Sequence, residues 1–598
     1  MPLIDSRPGR KTVATAVFLT GGAMVVAQWP DLRPLISRVS HSVSYRASVT
    51  AGAFRAGTPP LVEQPGDVTF TVTTASTFPI SPLIYGANFL TDDDAQPPGV
   101  AEGPWAGARL PAGMTLNRVG GNRLSAYNWR LNVSNAGQDY RYQNDRYLSA
   151  SSEAGAAVRS RLDATRKRGA ALLVTVPMLP FVAGNANGVP LDTSETTADY
   201  RLSKDFVPNR ATRGPRDVPG TVYQDEFVRW LGEVAIRSGA AATSSPLLIS
   251  LDNEPDIWQD THQEIMSRVS GRPALQTYDG FVSTSLDYAR AIKRQLPSAL
   301  IFGPAVATYA GMLTLGRHPA PDPKHGTRPF LEYYLERMRA ADAQSGIRLL
   351  DVLDVHWYPA SGTTGGEITN DFAPQTAEMI EKRLQAPRSL WDPTYNEGSW
   401  VTLAAWGPIA LVPRLRRMIT QFYPGTKIAI TEYYYGRGGD ISGGLAQADV
   451  LGIFGREGIF AAALWPQAGI WSAPYLGSGA RAYAYAFGAI RLFRNYDGNG
   501  ATFGDIGVQA TTTHPISTSV YASRDKTGRL VLVAINKSGD SVHATLAIPG
   551  MTPRLATIWA MQHGAAVPTR LADVTTVAGE AMTLVLPPMS ASTVVVVP

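Results

Sequence analysis

Two glutamates in this 598-residue chain follow short apolar runs, so each would stand at the end of a buried strand. Glu254 lies in the segment Ser250-Leu-Asp-Asn-Glu-Pro-Asp-Ile-Trp258, after the apolar run 246–249. Glu432 comes directly after Lys427-Ile-Ala-Ile-Thr431 and precedes three tyrosines. Two carboxylates at the carboxyl ends of parallel strands suit cleavage of a glycosidic bond on a (β/α)8 barrel. The sequence therefore predicts an active site built on two carboxylates.

Four polar residues could support these carboxylates. Asn253 adjoins the first glutamate, and its amide could bind the sugar 2-hydroxyl. Arg118 ends an earlier apolar run and could keep the second glutamate ionised by charge pairing, although a structural ion pair is an alternative. His356 and Tyr358 share one strand face by period-two alternation and could hold the nucleophile. A histidine that is simply hydrogen-bonded at a strand end remains the alternative for His356.

Aromatic residues near the predicted strand ends could stack on sugar rings. A single tryptophan belongs to a core more often than to a binding platform, but four at one rim favour a long cleft. Trp230 lies on an amphipathic helical pattern and is assigned to the core. The predicted substrate contacts are Asn122, Trp129, Trp258, Trp391, Tyr433 and Trp465.

Eight apolar runs recur at helix-sized intervals and would position these residues. Helical patterns separate several of them, most clearly 225–237, and 446–457 is similar. Alternating strands and helices predict a parallel sheet, and eight repeats predict its closure into a barrel. The two glutamates would then end the fourth and the seventh strand. The runs are 83–88, 115–120, 172–177, 247–251, 300–303, 352–357, 427–431 and 460–465.

The residue pattern changes after the eighth run. Short strands separated by turn residues predict a C-terminal β-sandwich of about 100 residues. The alternating stretch 67–73 predicts a half-exposed strand that joins this sandwich. The predicted strands are 519–523, 530–535, 544–548 and 593–597.

The N-terminus predicts export. Arg7, Arg10 and Lys11 precede an uncharged run at 12–30, which resembles a secretory signal. That run is also close to the length that spans a bilayer, so an uncleaved membrane anchor stays open. The predicted organisation is a signal peptide or anchor at 1–30, a linker at 31–65, a sandwich strand at 66–80, a catalytic barrel at 81–494 and a β-sandwich at 495–598.

Composition excludes several other classes of function. The 54 basic and 49 acidic residues form no long Lys/Arg run, which argues against nucleic-acid binding. The absence of cysteine excludes disulfides, thiolate metal sites and cysteine nucleophiles. Neither a phosphate-binding glycine motif nor a Gly-x-Ser-x-Gly elbow occurs, which argues against nucleotide and esterase chemistry.

Metal and cofactor signals are weak. There is no His-Glu-x-x-His motif, and the eight histidines are scattered. The oxygen-rich stretch from Asp497 to Asp505 could hold calcium, but an ordinary turn is favoured. We expect no metal in the active site and no required cofactor, and structural calcium is the alternative left open.

Several segments together resemble glycoside hydrolase family 44, whose members are endo-acting β-1,4-glucanases and xyloglucanases. The resemblance implies a barrel with a β-sandwich and a retaining mechanism in which Glu254 is the acid/base and Glu432 the nucleophile. Tyr434 stands where the family has Asn, and Val119 where it has Trp. The segments that carry the resemblance are 80–89, 118–122, 127–129, 132–137, 251–255, 389–395, 399–400 and 430–436.

The sequence thus predicts an exported, monomeric, retaining endo-glycosidase that acts on a β-1,4-glucan such as xyloglucan or a soluble, substituted cellulose. Two alternatives remain open. One is another retaining glycosidase on the same architecture, for example a xylanase, a mannanase or an exo-acting enzyme. The other is a catalytically silent glycan-binding protein, in contact with the membrane only if its N-terminal segment is uncleaved.

Overall fold

The computed structural model describes residues 61–63, 67–88, 113–190, 205–214, 219–237, 247–266, 273–316, 322–465, 483–576 and 581–597. The predicted signal segment 1–30 and nearly all of the predicted linker 31–65 lie outside these residues. None of the helices in the described part of the chain combines the length and the hydropathy that crossing a bilayer requires.

Eight parallel strands close into a barrel, and all eight predicted runs contribute to it. The strands follow one another around the barrel in chain order, and their residues are almost entirely buried. A parallel sheet covered on both faces selects continuous apolar runs, which is why these strands were visible in the sequence. The strands are β1 (Gly86–Asn88), β2 (Leu116–Val119), β3 (Ala171–Val176), β4 (Leu248–Leu251), β5 (Leu300–Val306), β6 (Val352–Trp357), β7 (Lys427–Tyr433) and β8 (Ala461–Leu464).

Helices connect the strands and cover the barrel. Polar N-caps begin several of them: Thr277 accepts a hydrogen bond from the amide of Gly280, and Asp440 accepts one from Ser442. The longer helices are α1 (Ala156–Lys167), α2 (Gln224–Arg237), α3 (Tyr278–Gln295), α4 (Phe330–Ser345), α5 (Ala377–Gln385), α6 (Leu411–Phe422), α7 (Ile441–Arg456) and α8 (Ala484–Arg494). Shorter helices are Asn122–Ser125, Trp258–Thr261, Gln263–Met266, Tyr309–Thr314 and Trp400–Ala404.

The C-terminal part is a ten-stranded sheet that encloses a second, aliphatic core. The strand Val68–Pro79 completes it, pairing antiparallel with β9 and parallel with β12. The predicted fold class, a barrel with a C-terminal β-sandwich that takes up an N-terminal strand, is therefore confirmed. The C-terminal strands are β9 (Ile506–Thr512), β10 (Thr518–Arg524), β11 (Leu530–Asn536), β12 (Val542–Ala547), β13 (Leu555–Gln562), β14 (Ala565–Arg570), β15 (Val574–Thr575), β16 (Thr583–Leu586) and β17 (Ser590–Val597).

Helix α7 lies between the barrel and the C-terminal sheet, and nearly all of its residues are buried. A β-carbon at Gly452 would lie 2.2 Å from the ring of Tyr521, so the glycine lets β10 pack directly on the helix. Asp449 accepts hydrogen bonds there from Tyr521 and Lys537. The helix begins five residues earlier than the sequence pattern predicts and includes Gly443 and Gly444. A side chain at either glycine would collide with neighbouring atoms, so both glycines allow close packing inside the helix rather than forming a turn.

Candidate active site

The turn after β4 holds Glu254 at the mouth of the barrel in a left-handed conformation, with φ 49°. The preceding Asp252 is also left-handed, with φ 61°. The Asp252 carboxylate accepts a hydrogen bond from the amide of Leu179 at 3.2 Å. Asp256 accepts bonds from the amide and the hydroxyl of Thr308 at 3.1 and 2.9 Å. These two aspartates tie the turn to the segments after β3 and β5, so that surrounding contacts hold an unfavourable backbone conformation.

Glu432 lies near the end of β7 in a buried network of donors. The guanidinium of Arg118 donates to its Oε1 at 2.6 Å, and the hydroxyl of Tyr358 donates to its Oε2 at 2.9 Å. The same guanidinium donates to the side-chain oxygens of Asn88 at 2.9 Å and Asn253 at 2.7 Å. Arg118 is completely buried, and its side chain therefore links the ends of β1, β2, β4 and β7.

His356 lies between the two glutamates. Its Nδ1 is 2.9 Å from Oε1 of Glu254 and 3.5 Å from Oε2 of Glu432. Its Nε2 faces a guanidinium nitrogen of Arg118 at 3.5 Å. Because arginine can only donate, we assign the imidazole proton to Nδ1, which then donates to Glu254. Single ligand atoms of the histidine and both glutamates all lie within 4.8 Å of one another.

Burial sets the protonation of this cluster. Burial, reinforced by Asp256, raises the pKa of Glu254 to about 8. Burial lowers the pKa of His356 to about 3, so the imidazole is neutral at pH 7. Burial also raises the pKa of Glu432, and Arg118 opposes that rise. The pKa of the Tyr358 hydroxyl rises well above its usual value through burial and the nearby carboxylates, so Tyr358 remains a donor.

The same three side chains are the one set in the described part of the chain that could together hold a metal ion. The guanidinium of Arg118 already contacts Glu432 as a fixed positive charge, which repels a cation from this place. The arrangement fits proton transfer and nucleophilic attack better than metal ligation.

The stretch at Asp497, where calcium was considered, forms a turn after α8. The Asp497 carboxylate accepts hydrogen bonds from the amides of Asn499 at 2.8 Å and Ala501 at 3.1 Å. These bonds are those of an ordinary turn, and calcium binding remains an untested prediction.

A cavity of about 590 Å³ opens beside Glu254. Its walls come from the segments that follow β5 and β6 and include Tyr309, Tyr358 and Asn370. Phe372 and Trp400 also line it, with 56% and 40% of their surfaces exposed. Exposed aromatic rings beside the largely buried carboxyl group of Glu254 are suited to sugar binding, because the apolar face of a sugar can stack on them.

The structure brings together six predicted residues: the two glutamates, Asn253, Arg118, His356 and Tyr358. Asn122 lies beside them, because its side-chain oxygen is 3.5 Å from the amide nitrogen of Asn253 and its own amide donates to Asp139. Its contact with sugar remains a prediction. Trp465 follows β8, where its amide donates to the carbonyl of Tyr433 at 3.0 Å, and its role as a platform also remains a prediction.

Two of the predicted substrate contacts, Trp258 and Tyr433, have no exposed surface, so these predictions are wrong. The indole of Trp258 donates to the backbone carbonyl of Asn253 at 2.8 Å and thereby supports the turn that carries Glu254. The Tyr433 hydroxyl accepts a hydrogen bond from Gln447 on α7, on the outer side of the barrel. Side chains alternate along a strand, so Tyr433 points away from the site that its neighbour Glu432 faces.

The predicted platform Trp129 is also wrong. Trp129 is 8% exposed and packs against Phe227 and Trp230, with ring centroids 5.8 and 5.9 Å apart. Trp391 lies under the guanidinium of Arg456, which ends α7. Part of the Trp391 side chain remains exposed, so its role as a platform remains a prediction.

Sequence reasoning gave no role to Asn88, Asp252, Asp256 or Phe372. Asn88 ends β1, so the position of a polar residue after an apolar run could have identified it. The two aspartates flank Glu254, but only the contacts with distant segments reveal that they position the turn. No pattern in the sequence distinguishes Phe372 from an ordinary exposed loop residue.

Known proteins resemble this chain over most of its length. A profile of glycoside hydrolase family 44 matches residues 133–361. Endoglucanase A from Paenibacillus lautus is 37% identical over 542 residues, which cover 88% of this chain and 72% of that protein. A β-mannanase/endoglucanase A from Caldicellulosiruptor saccharolyticus is 35% identical over 501 residues, covering 78% of this chain and only 34% of that protein.

A solved structure extends the resemblance to three dimensions. The xyloglucanase of Paenibacillus polymyxa, a member of glycoside hydrolase family 44 determined with xyloglucan, superimposes with a TM-score of 0.76 and 32% sequence identity. The match covers 89% of this chain and 100% of that chain.

Proposed function

Because the chain belongs to glycoside hydrolase family 44, we propose that it cleaves internal β-1,4 linkages of a glucan with retention of anomeric configuration. The class of enzyme, a glycoside hydrolase, follows from the family. What we propose is the β-1,4 linkage that is cleaved, the cleavage at internal positions and the retaining mechanism.

The separation of the two carboxyl groups carries the proposal. Oxygens of Glu254 and Glu432 lie within 4.8 Å of each other. Retaining enzymes hold their carboxyl groups roughly 5–5.5 Å apart, whereas inverting enzymes need roughly 6.5–9.5 Å to admit a water molecule. The observed spacing therefore supports direct attack by one carboxylate.

Glu254 acts as the general acid in the first step. A pKa raised to about 8 keeps its carboxyl group protonated at neutral pH. His356 donates to Oε1, which leaves Oε2 to carry the proton toward the leaving oxygen. As the bond between the anomeric carbon and that oxygen breaks, the proton moves to the departing sugar.

Glu432 acts as the nucleophile. The hydrogen bonds from Arg118 and Tyr358 stabilise its ionised form, although burial opposes ionisation. Its attack on the anomeric carbon forms a glycosyl-enzyme. The Glu254 carboxylate then takes a proton from water, which displaces Glu432 and restores both groups. Asn253, fixed by Arg118, is positioned to bind the sugar 2-hydroxyl.

Xyloglucan is the substrate that we propose first. The P. polymyxa relative is named as a xyloglucanase and was determined with xyloglucan. The open cavity with exposed Phe372 and Trp400 supports a polymer rather than a small glycoside. We further propose export, as the N-terminal sequence predicts, and action as a monomer.

A mannan-cleaving activity is the second candidate. The observation that favours it is the name of the C. saccharolyticus relative, a β-mannanase/endoglucanase A. This chain covers only 34% of that protein, so its named activities need not share the matched region. A glycan-binding protein without catalysis is disfavoured, because such a protein has no need of two carboxyl groups at a reactive spacing.

Reducing-sugar release from xyloglucan, carboxymethyl-cellulose, mixed-linkage glucan, xylan and glucomannan tests the proposal. We expect the highest rate on a β-1,4-glucan, a mixture of oligosaccharide products, and initial products in the β configuration by NMR. Initial α products would contradict retention, and release of single sugars or disaccharides from one chain end would contradict endo cleavage. Glu378→Ala, an exposed glutamate on α5, is the matched control for substitutions of the active-site glutamates.

A further inference from the structure

A row of exposed apolar side chains lies at the outer edge of the cavity, on the segment after α5. Trp400, Leu403 and Trp406 have 40%, 72% and 70% of their surfaces exposed. Three large apolar side chains that are exposed within seven residues of one segment are unusual on a protein surface and indicate a binding site. Leu403 and Trp406 are used by neither the fold nor the mechanism described above.

Local structure keeps these three residues together on one short helix and the turn that follows it. Trp400 and Leu403 are separated by three positions on the short helix Trp400–Ala404, so they share one face. The amide of Trp406 donates to the carbonyl of Leu403 at 3.2 Å, which continues the turn beyond the helix. Trp406 has a φ of 57°, a left-handed conformation that is uncommon for a bulky residue. The chain therefore holds an exposed indole in an unfavourable backbone conformation, as occurs at functional positions.

The row continues the cavity of the active site. Trp400 and Val401 line that cavity, and its inner end is formed by Glu254 and Tyr358. Glu432 is not among its lining residues. The acid protonates the departing oxygen, so a cavity on the side of Glu254 receives the departing part of the substrate. Sugars beyond that part would next meet Leu403 and Trp406.

We propose that Leu403 and Trp406 form a distal binding site for a β-linked polysaccharide on the leaving-group side of the cleft. The proposal rests on the proposed function. It adds the residues that would bind the sugars of a long substrate beyond the cavity. The indole and the isobutyl group offer the flat and convex apolar surfaces on which sugar rings pack, while ring hydroxyls remain in water. Continuity with the cavity favours a polysaccharide over a protein partner, because Trp400 lines the cavity and shares a helix face with Leu403, so a chain that leaves the cavity past Trp400 can extend over Leu403 and Trp406.

Kinetics on two substrates test the proposal. The double variant Leu403→Ser/Trp406→Ser is compared with the unchanged protein on xyloglucan and on an aryl β-cellobioside, which has no sugar on the leaving-group side. We expect KM on xyloglucan to rise about three- to tenfold with little change in kcat, the size expected for loss of one or two stacking contacts. The decrease in kcat/KM on xyloglucan should exceed the decrease on the aryl cellobioside by the same factor. Ile347→Ala, an exposed apolar residue between α4 and β6 at the far end of the barrel, is the control.

An equal effect on both substrates, or no effect on either, would overturn the distal site. If the unchanged protein cleaves no glucan, the proposed function has failed, and binding decides the distal site separately. In that case, retardation of Glu432→Ala in gels containing xyloglucan is compared with and without the two serine substitutions. Weaker retardation of the triple variant supports the distal site, and equal retardation overturns it.

Discussion

Two buried ion pairs in this protein have nearly the same geometry and different consequences. Arg118 and Glu432 meet at 2.6 Å at the barrel mouth, and Lys537 and Asp449 meet at 2.7 Å between α7 and β11. The side chains of both pairs are at most 5% exposed. Distance and burial alone therefore do not distinguish the pair that we propose as catalytic from the structural one.

The surroundings of the pairs do distinguish them. Asp449 has one oxygen bound by Lys537 and the other by Tyr521, and packed helix and sheet residues enclose the pair. At the mouth, Glu432 lies near a second carboxyl group and a neutral histidine, beside a strained turn and an open cavity. Competition between ionisable groups, together with access for a ligand, marks the active site.

Removing the nucleophile should give the largest effect. We expect Glu432→Ala to lower kcat on xyloglucan on the order of 10⁴-fold or more while the protein stays folded, because the covalent step loses its reacting group. Azide at high concentration should enter the vacated space and yield an α-glycosyl azide, detectable by NMR. Full activity in this variant, or a β-glycosyl azide, would show that another residue attacks.

Removing the proposed acid should affect polysaccharides more than substrates with a good leaving group. We expect Glu254→Gln to lower kcat/KM on polysaccharide roughly 10²–10⁴-fold, the usual contribution of general acid catalysis. An aryl glycoside with a good leaving group needs little protonation, so its first step should be far less affected. Equal losses on both substrates, measured by initial rates, would contradict the acid assignment.

Breaking the structural pair should lower stability rather than activity. We expect Lys537→Met to reduce the free energy of unfolding by about 3–5 kcal/mol, because Asp449 would remain buried without its cation. Below the unfolding transition, kcat should stay within about twofold of the original value. Urea unfolding measures the first quantity, with Lys382→Met in the surface pair of α5 as the control. A selective loss of kcat in the folded variant would contradict a structural role.

The titration of Glu254 at the barrel mouth should change activity and stability less than the substitutions above. Glu254 must be protonated to act, and its pKa is raised to about 8, so kcat/KM should fall as the pH rises through about 8. The folded state binds this proton more tightly than the unfolded state, whose glutamate has the ordinary value of 4.5. The stability contributed by this group is therefore present below about pH 4.5 and is lost as the pH rises to about 8. Glu254→Gln should flatten that part of the curve of unfolding free energy against pH, and an unchanged slope would exclude the raised pKa.

The barrel could be predicted because its strands are buried on both faces. Their apolar runs are continuous, and the polar residue that ends each run is conspicuous, as with Arg118 and Glu432. The aromatic platforms could not be predicted in the same way. Trp258 follows a strand end just as the predicted platforms were expected to, but only packing decides that its ring is covered and that the ring of Trp400 is exposed.

The sequence by itself determined the number of barrel strands, the C-terminal sheet and the two glutamates, because burial selects residue types and spacing locally. The tertiary structure decided how those residues act. It placed Arg118 of β2 against Glu432 of β7 and His356 of β6 between the glutamates, contacts that join distant segments of the chain. It also decided the protonation states on which the proposed mechanism depends, because a pKa depends on burial and on neighbours from several strands, which no local pattern encodes.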